Sequence, residues 1–413
     1  MPMLEQEIPK TEPEKPESKR KIPGISLSTI IPTPEAELLT GVPVFLGLAQ
    51  PKQKPENNEP KKLSLATQFN EPKKLSLAIQ FDDLFTPAEG SYLPDVLKGF
   101  FENGGRLCYV IALANKTLEE LKQGLEASEV LENTDLVCVP DVMIGSDDAK
   151  IVYDMQQAVL EHCDRMGNRF AILDAWNNDI EKQDEQRKKL LDEQRNKLSS
   201  YNGALYAPWL KIEDPDNPSI PRSIPPCGHI AGIYATTDRT VGVHGAPANI
   251  ELEGVLDLSF SLTPTQQQEF NPQNQPGINF IRNLRGRGIR VWGVRTLSSL
   301  SEWQYVNVRR LFLTFGRWAN QNLADTVFET NDFRLWVRLE RELSIYCESL
   351  WQQGAIQGAV PQEAFYVKCD EETNPPENRD IGQVVAEVGL APSIPGEFIQ
   401  LLLVQSTTGI TVT

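Results

Sequence analysis

Short apolar runs alternate with amphipathic segments in the first half of the chain. The runs lie at 107–113, 135–140 and 170–175, and they contain the β-branched residues that are typical of buried strands. Between them, residues 117–131 and 148–166 repeat apolar side chains at helical spacing. This β-α-β-α-β order predicts a sheet that is at least partly parallel, with helices packed on its faces.

The second half of the chain mixes strand patterns with long helices. A helical segment begins near residue 229 and strand-like segments follow it to about residue 298. The remaining predicted elements are helices near 303–322 and 332–352 and strands at 364–370 and 397–405, and a buried strand at 41–49 opens the folded part. We therefore predict the fold class as α/β and α+β, in a multidomain chain.

The beginning of the chain has a different character. Residues 1–22 are rich in Pro, Glu and Lys, and so little apolar surface predicts a disordered extension. Apolar and small polar side chains then alternate through Ile25, Leu27 and Thr29, which predicts a short strand. No partner strand lies nearby in sequence, so we expect this strand to pair with a distant one.

Two tandem duplications interrupt the predicted α/β region. Residues 58–69 (NEPKKLSLATQF) are repeated at 70–81 (NEPKKLSLAIQF), and residues 184–191 (DEQRKKLL) are followed by DEQRNKLS at 192–199. Two copies are too few for a solenoid, which needs at least three stacked units. We interpret the first duplication as a tolerated loop expansion and predict a protruding charged helix at the second.

Composition and charge narrow the function classes. The chain has 413 residues, is 40% hydrophobic and carries a formal net charge of −17. These values exclude a wholly disordered protein and argue against nucleic acid as a partner. The six cysteines are dispersed, which favours reduced core residues over a zinc site. No stretch is long and apolar enough to predict direct insertion into a membrane.

Few residues suggest catalysis. Asp141 and Asp174 follow predicted strands, where open α/β sheets often bind ligands, although aspartate is also common there as a turn or N-cap residue. The chain contains no Walker A motif, no H-E-x-x-H and no nucleophile elbow. We expect no cofactor and no metal, and an α/β enzyme using Asp141 or Asp174 is the alternative hypothesis.

Arginines form the clearest local charge feature. Seven of them lie between Arg282 and Arg310 with a single acid, Glu302. A second group, Arg334, Arg338 and Arg341, lies on one face of the helix predicted at 332–352. This stripe is either a solvated face, in which Arg338 pairs with Glu342, or a docking surface for an acidic partner.

Several ordered segments resemble the contractile tail sheath proteins of phages and phage-derived injection systems. The clearest are GIRVWGVRTLS at 288–298 and APSIPGEFIQLLLVQ at 391–405. Further similar segments are 41–49, 201–212, 236–249, 277–286, 328–360 and 361–370. The resemblance covers the C-terminal half almost continuously and the N-terminal domain more loosely.

The resemblance implies a mechanical function and no enzymatic activity. Such subunits stack as hexameric rings in a helical sheath around an inner tube, and contraction from a metastable extended state drives the tube through a target envelope. Expected partners are other copies of the chain, an inner tube protein, baseplate and cap proteins, and an AAA+ ATPase for recycling. The expected location is the bacterial cytoplasm, within an assembled particle that is free, anchored to a membrane through other components, or part of a virion tail. The short chain favours an injection system over a phage tail.

The resemblance also assigns regions and residues. It implies a disordered extension at 1–22, an N-terminal arm at 23–40, an α/β domain at 41–210, a sheath core at 211–397 and a C-terminal arm at 398–413. The arms would add strands to a neighbouring subunit through Ile25, Leu27, Thr29, Phe398, Leu401, Leu403 and Val404. Arg334, Arg338 and Arg341 become candidates for docking on the inner tube.

Overall fold

The computed structural model describes residues 38–52, 69–145, 148–176, 184–215, 217–272, 275–396, 403–406 and 409–412. The elements before residue 208 are β1 (Pro43–Pro51), β2 (Lys73–Leu75), α1 (Gln80–Leu84), β3 (Phe85–Pro87), α2 (Leu93–Glu102), β4 (Cys108–Leu113), α3 (Leu118–Ala127), β5 (Leu136–Cys138), α4 (Ala149–Met166), β6 (Phe170–Asp174), α5 (Asp184–Lys197) and β7 (Gly203–Ala207). Those after it are β8 (Leu210–Ile212), β9 (Arg222–Ile224), α6 (Cys227–Thr240), β10 (Asp257–Leu258), α7 (Pro264–Gln268), β11 (Ile278–Leu284), β12 (Gly288–Trp292), α8 (Val306–Asn322), α9 (Phe333–Gln352), α10 (Pro361–Ala364), β13 (Phe365–Lys368), α11 (Pro376–Asp380), β14 (Glu387–Leu390), β15 (Leu403–Ser406) and β16 (Gly409–Val412).

A large mixed sheet forms the body. Within the described residues nine strands join it, in the order β12-β11-β7-β6-β5-β1-β4-β2, with β3 paired to β1. The strands from β11 to β4 in that order run parallel, and β12, β2 and β3 pair antiparallel to their neighbours. The predicted parallel sheet is confirmed.

Both faces of this sheet are covered by helices. Along β1, Phe45 points to one face and packs with Phe100 of α2 and Tyr234 of α6, whereas Leu46 points to the other face. The second face is covered by α3, α4 and α5, and its apolar cluster includes Leu160 of α4. Burial on both faces explains why these strands have continuous apolar runs instead of alternation.

The sheet crosses the predicted domain boundary between residues 210 and 211. β11 pairs in parallel with β7, with Ile278 opposite Leu205. β12 then pairs antiparallel with β11 to complete this edge of the sheet. The strand hairpin at 278–292 therefore belongs to the same sheet as the α/β elements that precede residue 208.

The C-terminal part consists of two long helices and small sheets. α8 and α9 pack through Trp318 and Tyr346, whose rings stack with centroids 3.8 Å apart. β13 and β14 form a separate two-stranded antiparallel sheet. α8 begins at Val306, a few residues later than predicted, because residues 301–303 form a 3-10 turn.

The duplicated segments contribute to the core. In the second copy of the first duplication, Leu75 of β2 and Phe81 of α1 are almost completely buried. Apart from Phe69, the first copy lies outside the described residues. The helix predicted at the second duplication is confirmed as α5, but its protruding position is wrong, because Leu191 and Gln194 are buried against the sheet domain.

Candidate assembly site

Asp141 is a structural residue in the turn after β5. It is 3% exposed, and its carboxylate accepts hydrogen bonds from the N–H groups of Leu48 and Tyr92 and from the Ser91 hydroxyl, each at 2.7 Å. Burial raises the pKa of this carboxyl above its ordinary value, although these hydrogen bonds and Arg222 oppose the increase. The adjacent cavity is only about 10 Å³, which leaves no room for a substrate.

Asp174 has a similar position at the end of β6. Its carboxylate accepts the N–H of Cys227 at the start of α6 at 2.8 Å, and its backbone carbonyl accepts hydrogen bonds from Gln156 and Gln194. Burial raises the pKa of this carboxyl to about 7. Asp174 therefore joins α4, α5 and α6 to the sheet and does not face solvent.

A serine, a histidine and a glutamate approach one another without forming a catalytic triad. Ser128 Oγ lies 3.4 Å from His162 Nε2, and His162 Nδ1 lies 3.9 Å from Glu129. The Ser128 hydroxyl donates to the carbonyl of Leu125 at 2.6 Å and accepts from Arg169 at 2.6 Å. Burial lowers the pKa of His162 to about 4. The contacts of Ser128 with Leu125, His162 and Arg169 hold the turn at 128–131 in place.

The described residues contain neither a candidate metal site nor a membrane-spanning helix. Across the described ranges, no group of three or more His, Cys, Asp and Glu side chains could hold a metal ion. No described helix has the length and apolar character required to cross a membrane. The six cysteines are free and buried, as the sequence predicts.

The arginine-rich stretch is mostly not a surface patch. Arg295 and Arg310 are buried. Arg309 lies between the rings of Tyr201 and Trp303, at 4.5 and 4.9 Å. The exposed members are at the β11–β12 turn, so the local excess of positive charge mainly serves internal contacts.

The stripe on α9 has two kinds of arginine. Arg338 pairs with Asp325 at 2.7 Å and with Glu342 at 2.8 Å, and it also contacts Glu329. It thereby fixes the connection between α8 and α9, and the expected pair with Glu342 is present. Arg334 and Arg341 are exposed. Phe333, Val337 and Ile345, between 60% and 64% exposed, are the apolar residues of the same helix that face solvent.

Most of the predicted arm residues lie outside the part of the chain that the structure describes. Ile25, Leu27, Thr29, Phe398 and Leu401 lie outside the described residues. Leu403 and Val404 lie in β15, which pairs antiparallel with β16 in a hairpin. The last strand predicted from the sequence ends at residue 405, so β16 was not predicted. The signal for β16 was present in its alternating, β-branched sequence at 409–412.

The small C-terminal sheet has two open edges. β13 and β14 pair from Phe365 opposite Leu390 to Lys368 opposite Glu387. Among the residues that the structure describes, no third strand joins them. A two-stranded sheet is marginal by itself, and each open edge presents unpaired backbone groups. Open edges of this kind are where sheets accept strands from other chains.

The fold and these surfaces define an α/β subunit with exposed sheet edges. Residues 114–297 match the family model described as "Phage tail sheath protein central domain". The tail sheath protein of Salmonella phage ViI is 27% identical over 198 residues, which is 47% of this chain and 30% of the phage protein. The chain thus matches less than a third of the length of that relative.

Solved structures match over almost the whole chain. A chain of the anti-feeding prophage baseplate is 28% identical, with a TM-score of 0.74, and the match covers 94% of this chain and 100% of that one. The sheath of the PVC extracellular contractile injection system, in its contracted state, is 26% identical with a TM-score of 0.70, covering 95% and 99% of the two chains. Residues 114–297 thus match the central domain of tail sheath proteins, and nearly the whole chain is similar to sheath subunits of contractile injection systems. The alternative of an enzyme using Asp141 or Asp174 is wrong, since this family is structural.

Proposed function

We propose that this chain is the sheath subunit of a contractile injection system. It polymerises as stacked hexameric rings around an inner tube and contracts from a metastable extended state. The observation that carries this proposal is the match to subunits of contracted injection-system sheaths over nearly the full length of both chains. The matched solved chains are about as long as this one, which supports an injection system over a phage tail.

Contraction requires two packings of the same rigid bodies, with the compact one lower in free energy. The broad sheet, buried on both faces, provides such a body. A small gain per subunit, summed over many copies, performs work without nucleotide hydrolysis. An inner tube protein, baseplate and cap proteins are the further partners, with an AAA+ ATPase for recycling and assembly in the bacterial cytoplasm.

The arms connect neighbouring subunits by strand addition. The open edges of β13 and β14 are the acceptors, and the segments at 23–40 and 398–413 are the donors. Backbone hydrogen bonds hold a donated strand without a rigid side-chain interface, so subunits can rotate while they stay connected.

Truncation tests the sheath assignment. We expect the full chain, and a variant lacking only residues 1–22, to form tubes visible by negative-stain microscopy. Variants lacking residues 1–31 or 398–413 should remain folded by circular dichroism but form no tubes, because each lacks one donor strand. Normal tubes from both truncations would contradict the arm assignment. No polymer from the full chain under any condition would contradict the function.

The exposed arginines of α9 are the second part of the proposal. Arg334 and Arg341, with Val337 and Ile345 between and beyond them, suit weak and reversible docking on an acidic inner tube. Arg338 supports this surface by fixing the 325–329 connection.

Charge reversal separates docking from folding. Arg334→Glu combined with Arg341→Glu should give empty sheaths when the subunit is assembled with its tube protein. Lys122→Glu combined with Lys150→Glu changes the net charge equally on exposed helix positions of the α/β region and should leave the sheaths filled. If both double variants give filled sheaths, the stripe is only a solvated face.

A further inference from the structure

Four charged side chains are buried together where the N-terminal arm joins the body. Arg310 donates to Asp238 at 2.8 and 2.6 Å and to Asp135 at 3.0 Å. Arg317 Nη1 lies 3.9 Å from Asp135 Oδ2. The four side chains are between 2% and 7% exposed. Burial disfavours the charged form of Arg310, but the two carboxylates outweigh it and raise the pKa of the guanidinium, so Arg310 stays charged, whereas burial raises the pKa of Asp238.

These side chains come from three separate elements. Asp135 precedes β5, Asp238 lies in α6, and Arg310 and Arg317 lie one above the other, seven residues apart, on the core-facing side of α8. The cluster therefore joins the sheet, the helix layer beneath it and the C-terminal helices at one point. We refer to it as the charge cluster.

The charge cluster holds the backbone of residues 39–42. Asp135 accepts the N–H groups of Gly41 at 3.0 Å and Val42 at 2.7 Å, and Arg317 Nη2 donates to the carbonyl of Leu39 at 2.8 Å. The strand ladder of β1 begins only at Pro43, so these bonds extend the attachment of the chain beyond the sheet.

The backbone at Gly41 is shaped for this position. Its φ is +67°, in the left-handed region, and a Cβ there would lie 2.5 Å from the Cα of Ala235 in α6. Any other residue would be strained and would push the chain away from α6. Residues 39–42 thus follow one fixed path against the body.

A contribution to folding stability does not by itself explain why a buried arginine lies at residue 317. Its Nε and Nη1 atoms make no hydrogen bond to any residue in the described part of the chain, although the side chain is 4% exposed. Buried donors without acceptors are unfavourable, and replacing a whole buried ion pair by apolar residues is often neutral or stabilising, so burial of a charged group is weak evidence for a role in stability. Among the described residues, the one side-chain hydrogen bond of Arg317 is to the carbonyl of Leu39, at the root of the arm.

We propose that the charge cluster is the mechanical anchor of the N-terminal arm, and that Arg317 is a positioning residue that fixes the arm root to α8. This inference rests on the proposed sheath function, since an anchor is needed only where a neighbour pulls on the arm. A pull on residue 38 is then distributed to β5, α6 and α8 together. Without the anchor, residues 38–42 would peel away from the body before any load reached the sheet.

The first test uses the isolated full-length subunit. Arg317→Met should accelerate hydrogen exchange of the amides at 38–42 by about tenfold or more beyond any change in the rest of the chain, because local opening no longer breaks the bond to Leu39. Arg317→Lys should restore slow exchange, since an ammonium can also donate to that carbonyl. Arg309→Met is the matched control: Arg309 lies on the same helix, but its guanidinium contacts Asn202, Tyr201 and Trp303.

The outcomes are distinct. Wild-type exchange at 38–42 in Arg317→Met would overturn the anchor, and so would exchange that rises equally throughout the chain, because the role would then be structural. A second measurement is tube formation, which Arg317→Met should reduce and Arg309→Met should not. If the wild type forms no tubes, the sheath function fails, while the exchange result still decides whether the cluster holds the arm root.

Discussion

Buried charged residues in this protein mainly bind backbone. Asp141 joins the turn after β5 to Leu48 and Tyr92, and Asp174 holds the first turn of α6. Both lie where an α/β enzyme would place catalytic carboxylates. Their hydrogen-bonding capacity is used inside the fold, so the same positions serve rigidity in a structural subunit.

Asp174→Asn should flatten the pH dependence of stability. The folded protein keeps the carboxyl protonated up to about pH 7, whereas the unfolded chain releases the proton near the ordinary value of 3.8. The stabilising contribution of this proton is complete below the pKa of the unfolded chain. It is lost as the pH rises through the pKa of the folded protein. Urea unfolding across this window should show the variant losing less stability than the wild type, by on the order of 4 kcal/mol.

Asp154→Asn, on the exposed side of α4, is the control for that experiment. Its free energy of unfolding should depend on pH as that of the wild type does. Parallel stability curves for the wild type and Asp174→Asn would show that Asp174 is ionised in the folded protein.

At the scale of elements, long periodic segments were predictable and short ones were not. The strands at 108–113 and 170–174 and the helix at 149–166 agree with the patterns, because each buries a face long enough to leave a periodic signal. β2 and β3 have three residues each, too few for a pattern. They form because the backbone groups of β4 and β1 are available to pair with them.

The candidate assembly residues were only partly predictable. The stripe on α9 could be seen from its spacing, but the three acids that surround Arg338 come from the helix and from the connection before it. The charge cluster was missed because Arg310 had been counted in a basic stretch. A signal did exist: Arg310 and Arg317 share the core-facing spacing of Val306 and Leu313.

The second duplication shows why repeated sequence need not give repeated environment. Eight residues rotate an α-helix by about 80° beyond two full turns. Gln186 and Gln194, equivalent in the two copies, therefore face different surroundings. Gln186 is exposed, whereas Gln194 is fully buried and bonds Trp176, Gln156 and Asp174.

This difference gives a matched pair of substitutions. Gln194→Ala should lower the free energy of unfolding by about 2 kcal/mol, because it leaves the buried N–H of Trp176 without an acceptor. Gln186→Ala should change it by less than about 0.5 kcal/mol. Chemical denaturation measures both, and equal losses would mean that α5 does not dock as described.

For the whole molecule, the continuous sheet is the main mechanical feature. It runs from β2 to β12 and includes strands from both sides of residue 210. A subunit that must rotate as one body gains from this continuity, since load crosses backbone hydrogen bonds instead of a linker. The boundaries of the other predicted regions remain predictions.

Removing one copy of the first duplication should leave the fold intact. Deleting residues 58–69 or residues 70–81 yields the same chain except for Thr or Ile at one position, and Ile79 is 70% exposed. Both shortened proteins should therefore unfold at nearly the wild-type denaturant concentration. A large loss in only one of them would contradict the equivalence of the copies.

The buried positions Leu75 and Phe81 have a consequence for mutational tolerance. Leu63 and Phe69 repeat them twelve residues earlier, in a local sequence that differs only by Thr67 in place of Ile79. The chain thus carries a spare version of one of its own core segments. Leu75→Asp should be far more damaging in the protein that lacks residues 58–69 than in the full chain, whereas Leu97→Asp, at an unduplicated core position, should be equally damaging in both. A duplicated core segment therefore protects the protein against substitutions within that segment.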